Sequence, residues 1–273
     1  INIILDLLFV AKFGMGVNGV ALATVIAQAV SAILCLIRLS KMKDLFDLNR
    51  KYLKWNGKYG KNIIRLGVPS GLTLAMIIVQ SLTNSFGEMF IAANVIVMRV
   101  DGFAMLPNFS FGTAMTTYSG QNIGAAKNDR VTKGAKQGTL IAVLTTTFIT
   151  SLILIFGRQL MGIFTATTEL VDLSRRMMGI IAAGYIAMAV TQSLSGVMRG
   201  AGDTMTPMWI SLFTTIVVRV PVAYGIAHFT KSATFPNGRQ ECIFISLLCS
   251  WLIGAIMTTI FYLRGKWKNK ALR

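Results

Sequence analysis

Long apolar runs alternate with short charged clusters along the whole chain. The runs are 18 to 28 residues long, and a helix of about 20 apolar residues is enough to cross the hydrocarbon core of a bilayer. A segment that lies in lipid must satisfy its backbone hydrogen bonds internally, which a helix does. The pattern therefore predicts an all-α fold, a polytopic bundle of transmembrane helices.

The same runs set the expected helix bounds. A first segment, 1–11, is too short to span a bilayer alone and starts inside an apolar run, which favours a fragment of a longer chain. Between the later runs we expect a basic loop at 119–136, a mixed outer connection at 157–176 and a tight turn at RGAGDTMTP. Complete spans are predicted at 20–39, 66–86, 89–118, 137–156, 177–198, 208–228 and 242–263.

One connection is long and strongly basic. Eight Lys or Arg residues lie between Lys41 and Arg65, and apolar or aromatic residues recur there at spacings of three, four and three. That period predicts an amphipathic helix in the membrane interface, and a solvated linker with incidental aromatics is the alternative. In either case the segment divides the chain into 1–40, a linker at 41–65, and 66–273.

The composition supports the membrane interpretation and changes how the charge is understood. Hydrophobic residues make up 54% of the chain, charged residues make up 14%, and the net charge is +17. The connections on one side of the predicted bundle carry 18 basic residues and those on the other side carry six. By the positive-inside rule the first side is cytoplasmic, so we expect a multi-pass protein of the cell membrane that contacts lipid and not nucleic acid.

The candidate chemistry centres on the span 89–118. Arg99 and Asp101 lie in its middle and Pro107 follows. An ionised side chain at mid-bilayer costs about 2.5 kcal/mol or more, so these groups should face a wet cavity or the protein interior. The alternative is a structural charge network that holds helices together. Helical spacing places five residues on one side of the span, and they are Asn94, Met98, Asp101, Met105 and Asn108.

Other spans supply further candidates for a polar pocket. Gln80 and Asn84 are expected to face the Asp101 side of the neighbouring span across a cavity. Gln192 and Arg219 are candidates in the later spans. No Ser/His/Asp, Cys/His or metal-binding set can be assembled from the sequence, and no phosphate-binding loop is present. We therefore expect neither enzymatic activity nor a cofactor.

Several strings closely resemble the multidrug and toxic compound extrusion (MATE) family. They are GVNGVALATVIAQ, GVPSGL, RVDGFAMLPNFSFGTAMTTYSGQNIGAAK and GVMRGAGDTMTPMWI. The resemblance implies a twelve-helix, two-lobed antiporter that expels organic cations in exchange for sodium or protons. This chain would supply the last two helices of the first lobe, the first of them partial, and the six-helix second lobe. The rest of the first lobe would be its partner in the same protein.

The coupling residue is not transferred by this resemblance. Some family members carry an acidic residue in the helix that opens the second lobe, and Ile77 stands at that position here, counting from Pro69. Asp101 is therefore a separate hypothesis for the coupling site. The leading prediction is a cation-coupled antiporter. A lipid or polysaccharide-precursor flippase of the same superfamily, aided by Arg99 and Arg219, and a non-transporting membrane scaffold are the alternatives.

Overall fold

The structure, a computed structural model, describes residues 1–41, 70–233, 235–265 and 267. Helices account for nearly all of these residues, and none of them lies in a β-strand. The all-α prediction is thus confirmed. The predicted interfacial linker lies outside the described residues apart from Lys41. The chain forms two compact units, 1–65 and 66–273.

The described part of the first unit, residues 1–41, contains a short helix and a long one. Helix α1, Asn2–Leu7, continues as a π-helical turn at Leu8–Lys12, and helix α2 covers Gly16–Lys41. The chain reverses between them with positive φ angles of 63° at Gly14 and 54° at Gly16, a conformation that glycine adopts without a steric cost. Helix α2 agrees with the span predicted at 20–39.

The second unit is the larger helical bundle. Six described helical stretches of the whole chain are long and apolar enough to cross a membrane, one of them in the first unit. The described part of the span predicted at 66–86 is a shorter helix. The elements of this unit are α3 Ser70–Asn84, α4 Glu88–Gly124, α5 Asn128–Ile155, α6 Gly157–Gly162, α7 Thr168–Gly200, α8 Met205–Phe213, a π-helical segment Thr214–Arg219, α9 Val220–Phe229 and α10 Cys242–Leu263.

Two predicted connections are largely helical, which corrects the sequence-based bounds. The basic segment predicted as a loop at 119–136 contains the end of α4 and the beginning of α5, with three residues between them. Helix α7 likewise begins at Thr168, inside the outer connection predicted at 157–176. Lys, Arg, Glu and Gln are good helix formers, so a helix continues past the point where its hydrophobic run stops.

Helix α7 is the centre of the second unit. It packs against α4, α5 and α10. Of its most apolar 18-residue stretch, 56% is buried, the largest such share among the spans. Small residues bring it close to α4: a Cβ atom added to Gly196 would lie 2.3 Å from the carbonyl oxygen of Gly112. In lipid, helices associate through such close backbone contacts because burial of apolar area gives little advantage.

Candidate functional site

Asp101 lies where three spans converge. Its Oδ1 atom accepts a hydrogen bond of 3.0 Å from the phenol of Tyr185 on α7. Arg219, at the end of the π-helical segment, interacts electrostatically with the same carboxylate but forms no ion pair with it within 4.0 Å. Asp101 is partly exposed, whereas Tyr185 is fully buried. The carboxylate therefore has one fixed donor and one more distant cation, in a residue that is not fully buried.

Tyr185 is a residue that the sequence analysis missed, and it positions the carboxylate. Its ring packs against Trp251 of α10 with a centroid distance of 5.7 Å. Its hydroxyl also lies 3.2 Å from the Sδ atom of Met178. A tyrosine in an apolar span is common, so sequence alone gave no reason to select this one. Its role follows from the crossing of α4 and α7.

Two of the five residues predicted on one side of α4, Met105 and Asn108, lie in the bundle interior and not on a cavity wall. Asn108 is fully buried: its amide donates to the Tyr185 carbonyl at 3.3 Å and contacts the Met105 sulfur at 3.8 Å, and its Oδ1 accepts from Thr146 of α5 at 2.7 Å. Met105 is only 5% exposed. The five residues therefore differ in environment along α4, because α5 and α7 pack against the helix at Asn108. Asn108 thus joins three helices.

The remaining predicted residues do not gather around Asp101. Arg99 and Met98 are exposed on α4. Gln80 and Asn84 are exposed on α3 and bond to one another, with 3.0 Å between Gln80 Nε2 and Asn84 Oδ1. Asn94 is partly buried, and its Oδ1 has no hydrogen-bond partner among the described residues. The single pocket predicted between Gln80 and Asn84 on one span and the Asp101 side of the next stays a prediction.

Gln192 and Arg219 line a different cavity. It has a volume of about 370 Å³ and lies between α7, the span 205–229 and α10. On α7 and on the span 205–229, polar lining residues recur at intervals of three or four, and on α10 Ser250 and Thr258 are two such intervals apart with Gly254 between them. This spacing is a signal that could have been recognised in the sequence. The polar lining comprises Thr191, Gln192, Ser195 and Arg199 of α7, Thr204, Ser211, Thr214, Thr215 and Arg219 of the next span and its entry, and Ser250 and Thr258 of α10.

A local change of helix type shapes one wall of this cavity. The segment Thr214–Arg219 is π-helical, and Pro221 follows it. Proline has no N–H to donate and its ring crowds the preceding turn, so a transmembrane helix adjusts locally before it. The Thr214 carbonyl accepts a hydrogen bond of 3.1 Å from Ser250 on α10, which satisfies a backbone group at this irregularity. The π-helical segment thereby presents Thr214, Thr215 and Arg219 to the cavity.

Replacing Asn108 with leucine should lower stability. The change removes the bonds to Tyr185 and Thr146 and leaves the Thr146 hydroxyl buried without its acceptor. We expect a loss of about 1 to 2 kcal/mol, which would lower the thermal unfolding midpoint of the full-length protein in detergent by several degrees. Ser110→Ala is the control, since that exposed hydroxyl bonds only to its own helix. Equal midpoints for the two variants would contradict the role given to Asn108.

These features define an integral membrane protein of the helical-bundle class, with ionisable side chains held inside the bundle. The sequence comparisons identify the particular family. Residues 70–225 match the model of the MatE family, and the chain belongs to that family. It is a multi-pass membrane protein.

One relative and two solved structures show how far the similarity extends. The chain is 30% identical over 243 residues to "Probable multidrug resistance protein YoeA" of Bacillus subtilis, which covers 85% of this chain and 52% of that protein. An outward-facing MATE family transporter matches 100% of this chain and 61% of its own, with a TM-score of 0.76 and 20% identity. An inward-facing MATE family transporter matches 98% of this chain and 62% of its own, with a TM-score of 0.71 and 18% identity. The chain thus spans about half the length of YoeA.

Proposed function

We propose that this chain is the C-terminal part of a cation-coupled antiporter that exports organic cations across the cell membrane in exchange for sodium or protons. The family membership supports a transport role, and the name of YoeA supports multidrug export. The missing N-terminal lobe would pack against this part to complete a two-lobed protein. The single observation that carries the proposal is a partly exposed acidic residue, Asp101, within a span.

In this mechanism Asp101 is the ion-responsive group of the second lobe. In its charged form Asp101 accepts a hydrogen bond from the Tyr185 hydroxyl and interacts electrostatically with Arg219. A bound proton would remove the interaction with Arg219, and a bound sodium ion would compete with it. Either event changes the forces between α4 and the span 205–229. A ligand shifts a two-state protein only through such differential interactions.

The conformational change would be a rocking motion of the two lobes around a site near the membrane midplane, as in other secondary transporters built from repeats. Arg99, Met98, Gln80 and Asn84 are exposed on the second unit and would face the substrate path or the missing lobe. No cofactor is needed for this cycle beyond the coupling ion. The work comes from the ion gradient and not from a chemical reaction.

A lipid or polysaccharide-precursor flippase is the second candidate function. Two arginines line the cavity between α7 and α10, and no carboxylate is among its described lining residues. That charge suits an anionic substrate better than an organic cation. The scaffold alternative has less support, because a purely structural bundle has no need for a cavity of about 370 Å³ beside its buried charges.

Transport by the full-length protein in vesicles tests the proposal. We expect uptake of a fluorescent organic cation into inside-out vesicles when a proton or sodium gradient is imposed, and loss of that uptake when the gradient is collapsed by an ionophore. Vesicles without the protein are the control. Uptake of the cation that is independent of both gradients would contradict coupled antiport, and movement of a fluorescent lipid alone would favour the flippase.

A further inference from the structure

The lining of the cavity between α7 and α10 carries cationic but no anionic side chains among its described residues. Arg199 and Arg219 line it, and its described lining residues include neither Asp nor Glu. The acidic residue that interacts with Arg219 is Asp101, which is not among the lining residues. Its carboxylate already accepts a hydrogen bond from the Tyr185 hydroxyl. The Nε atom of Arg219 is buried and has no hydrogen-bond partner among the described residues. The lining thus offers cationic donors without a bound acceptor.

Hydroxyl and amide groups add further donors. Thr258 of α10 lines the cavity, is 0% exposed, and its Oγ1 is buried without a partner among the described residues. Gln192 and Ser195 of α7 also line it and have no side-chain hydrogen bond to a described residue. Buried polar groups normally find partners in a folded protein. Of the lining residues, Arg219 and Thr258 each have one buried donor atom without a partner among the described residues, and Gln192 and Ser195 have polar groups that a ligand in the cavity can reach.

The cavity is also elongated and partly apolar. It extends from Thr204, at the turn after α7, to Arg219 in the middle of the next span, a distance of about 20 Å at the rise of a helix. Met188, Leu247 and Trp251 form an apolar part of its wall. Arg199 and Thr204 lie at the end that the charge distribution assigns to the cytoplasm. A ligand that fits therefore combines an anionic group with an apolar or aromatic body.

We infer that this cavity binds an amphiphilic organic anion, whose carboxylate, sulfonate or phosphate group is held by Arg219 and whose apolar body lies against Met188 and Trp251, while Arg199 attracts the anion at the cytoplasmic end of the cavity. The anionic group accepts hydrogen bonds from guanidinium and hydroxyl donors, which are strongest when one partner is charged. The same chemistry is offered by an anionic phospholipid and by a soluble aromatic anion. This site does not depend on ion coupling at Asp101 or on transport.

A binding measurement on the full-length protein in phosphatidylcholine nanodiscs tests the inference. Dansylglycine, a carboxylate on an aromatic body, is titrated beside dansylamide, which is neutral, and binding is followed by energy transfer from tryptophan. We expect dansylglycine to bind at least about tenfold more tightly than dansylamide, because only the anion bonds to the guanidinium groups. Equal affinities of dansylglycine and dansylamide for the unsubstituted protein would overturn the inference.

Substitutions then locate the site. Arg219→Gln should weaken dansylglycine binding by about tenfold and Arg199→Gln should weaken it by a smaller factor, both leaving dansylamide binding unchanged, while Arg219→Lys should retain part of the dansylglycine binding. Arg175→Gln is the matched control, since Arg175 is an exposed arginine of α7 outside the cavity lining. Should Arg219→Gln fail to fold, Arg199→Gln and Arg219→Lys carry the test. Unchanged affinity in all folded cavity variants would overturn the inference.

A final titration distinguishes the two sources of the anion. Phosphatidylglycerol is added to the nanodiscs at constant dansylglycine concentration, with additional phosphatidylcholine as the control. Displacement by phosphatidylglycerol alone identifies an anionic lipid as an occupant of the site, and persistence of dansylglycine binding identifies a soluble anion. Since binding is measured without a gradient, it can succeed where coupled transport fails, and it can fail where coupled transport succeeds.

Discussion

Replacing Gly196 with leucine is expected to prevent the second unit from packing. A Cβ atom at this position would lie 2.3 Å from the carbonyl oxygen of Gly112, which is backbone and cannot move aside as a flexible side chain does. Helix α7 would have to separate from α4, the pair with the most extensive contact in the unit. We expect destabilisation of at least about 3 kcal/mol, near the upper end of the cost of overpacking.

The same helix provides a control for this prediction. Gly179 is exposed on α7, and a Cβ atom there would meet nothing within 4 Å. Gly179→Leu should therefore give near-normal amounts of monodisperse full-length protein in detergent, while Gly196→Leu gives aggregated or degraded material. Gly196→Ala should lie between them. Comparable yield and unfolding midpoint for the two leucine variants would show that the close α4–α7 contact is not needed.

Replacing Asp101 with asparagine is expected to reduce gradient-driven efflux by about tenfold to a hundredfold, the range of typical coupling free energies. Asparagine keeps the size of the side chain and still accepts from Tyr185, but it cannot bind a proton as a carboxylate does or counter the charge of Arg219. The loss should appear in the dependence on the imposed gradient. The measurement is fluorescent-cation transport by the full-length protein in vesicles.

Two further variants separate coupling from structure. Asp172→Asn removes an exposed carboxylate that pairs with Arg158 at 3.6 Å, and it should leave transport unchanged. Tyr185→Phe keeps the Asp101 carboxylate but removes its donor, so it should weaken coupling less than Asp101→Asn does. Transport by Asp101→Asn at the normal rate, with normal dependence on protons and sodium, would remove Asp101 from the mechanism.

The helices themselves were largely predictable. The last span was predicted at 242–263, and α10 covers Cys242–Leu263. The bounds were less accurate where charged residues extend a helix, as at the ends of α4 and α5. The π-helical segment Thr214–Arg219 was not predicted, although Pro221 gave a local signal. Pro221 indicates an irregular turn, but the type of turn depends on the neighbouring helix that satisfies the freed carbonyl.

The candidate site was predictable only in part. Asp101 and Arg219 were selected because ionisable groups inside a span are costly, and the structure brings them close enough to interact. The spacing that placed Asn108 beside Asp101 was misleading, since α5 and α7 bury Asn108 completely. Thr258 and Tyr185 were missed because threonine and tyrosine are ordinary residues in an apolar helix.

The sequence by itself determined the class of this protein and the approximate position of its spans. Hydrophobicity over the width of a bilayer is a local property, and it can be summed residue by residue along one segment. Only the tertiary structure decided which polar side chains meet. That choice depends on which small residues of distant segments allow two backbones to approach, and so the Tyr185–Asp101 bond and the cationic cavity exist only once α7 has packed against α4 and α10.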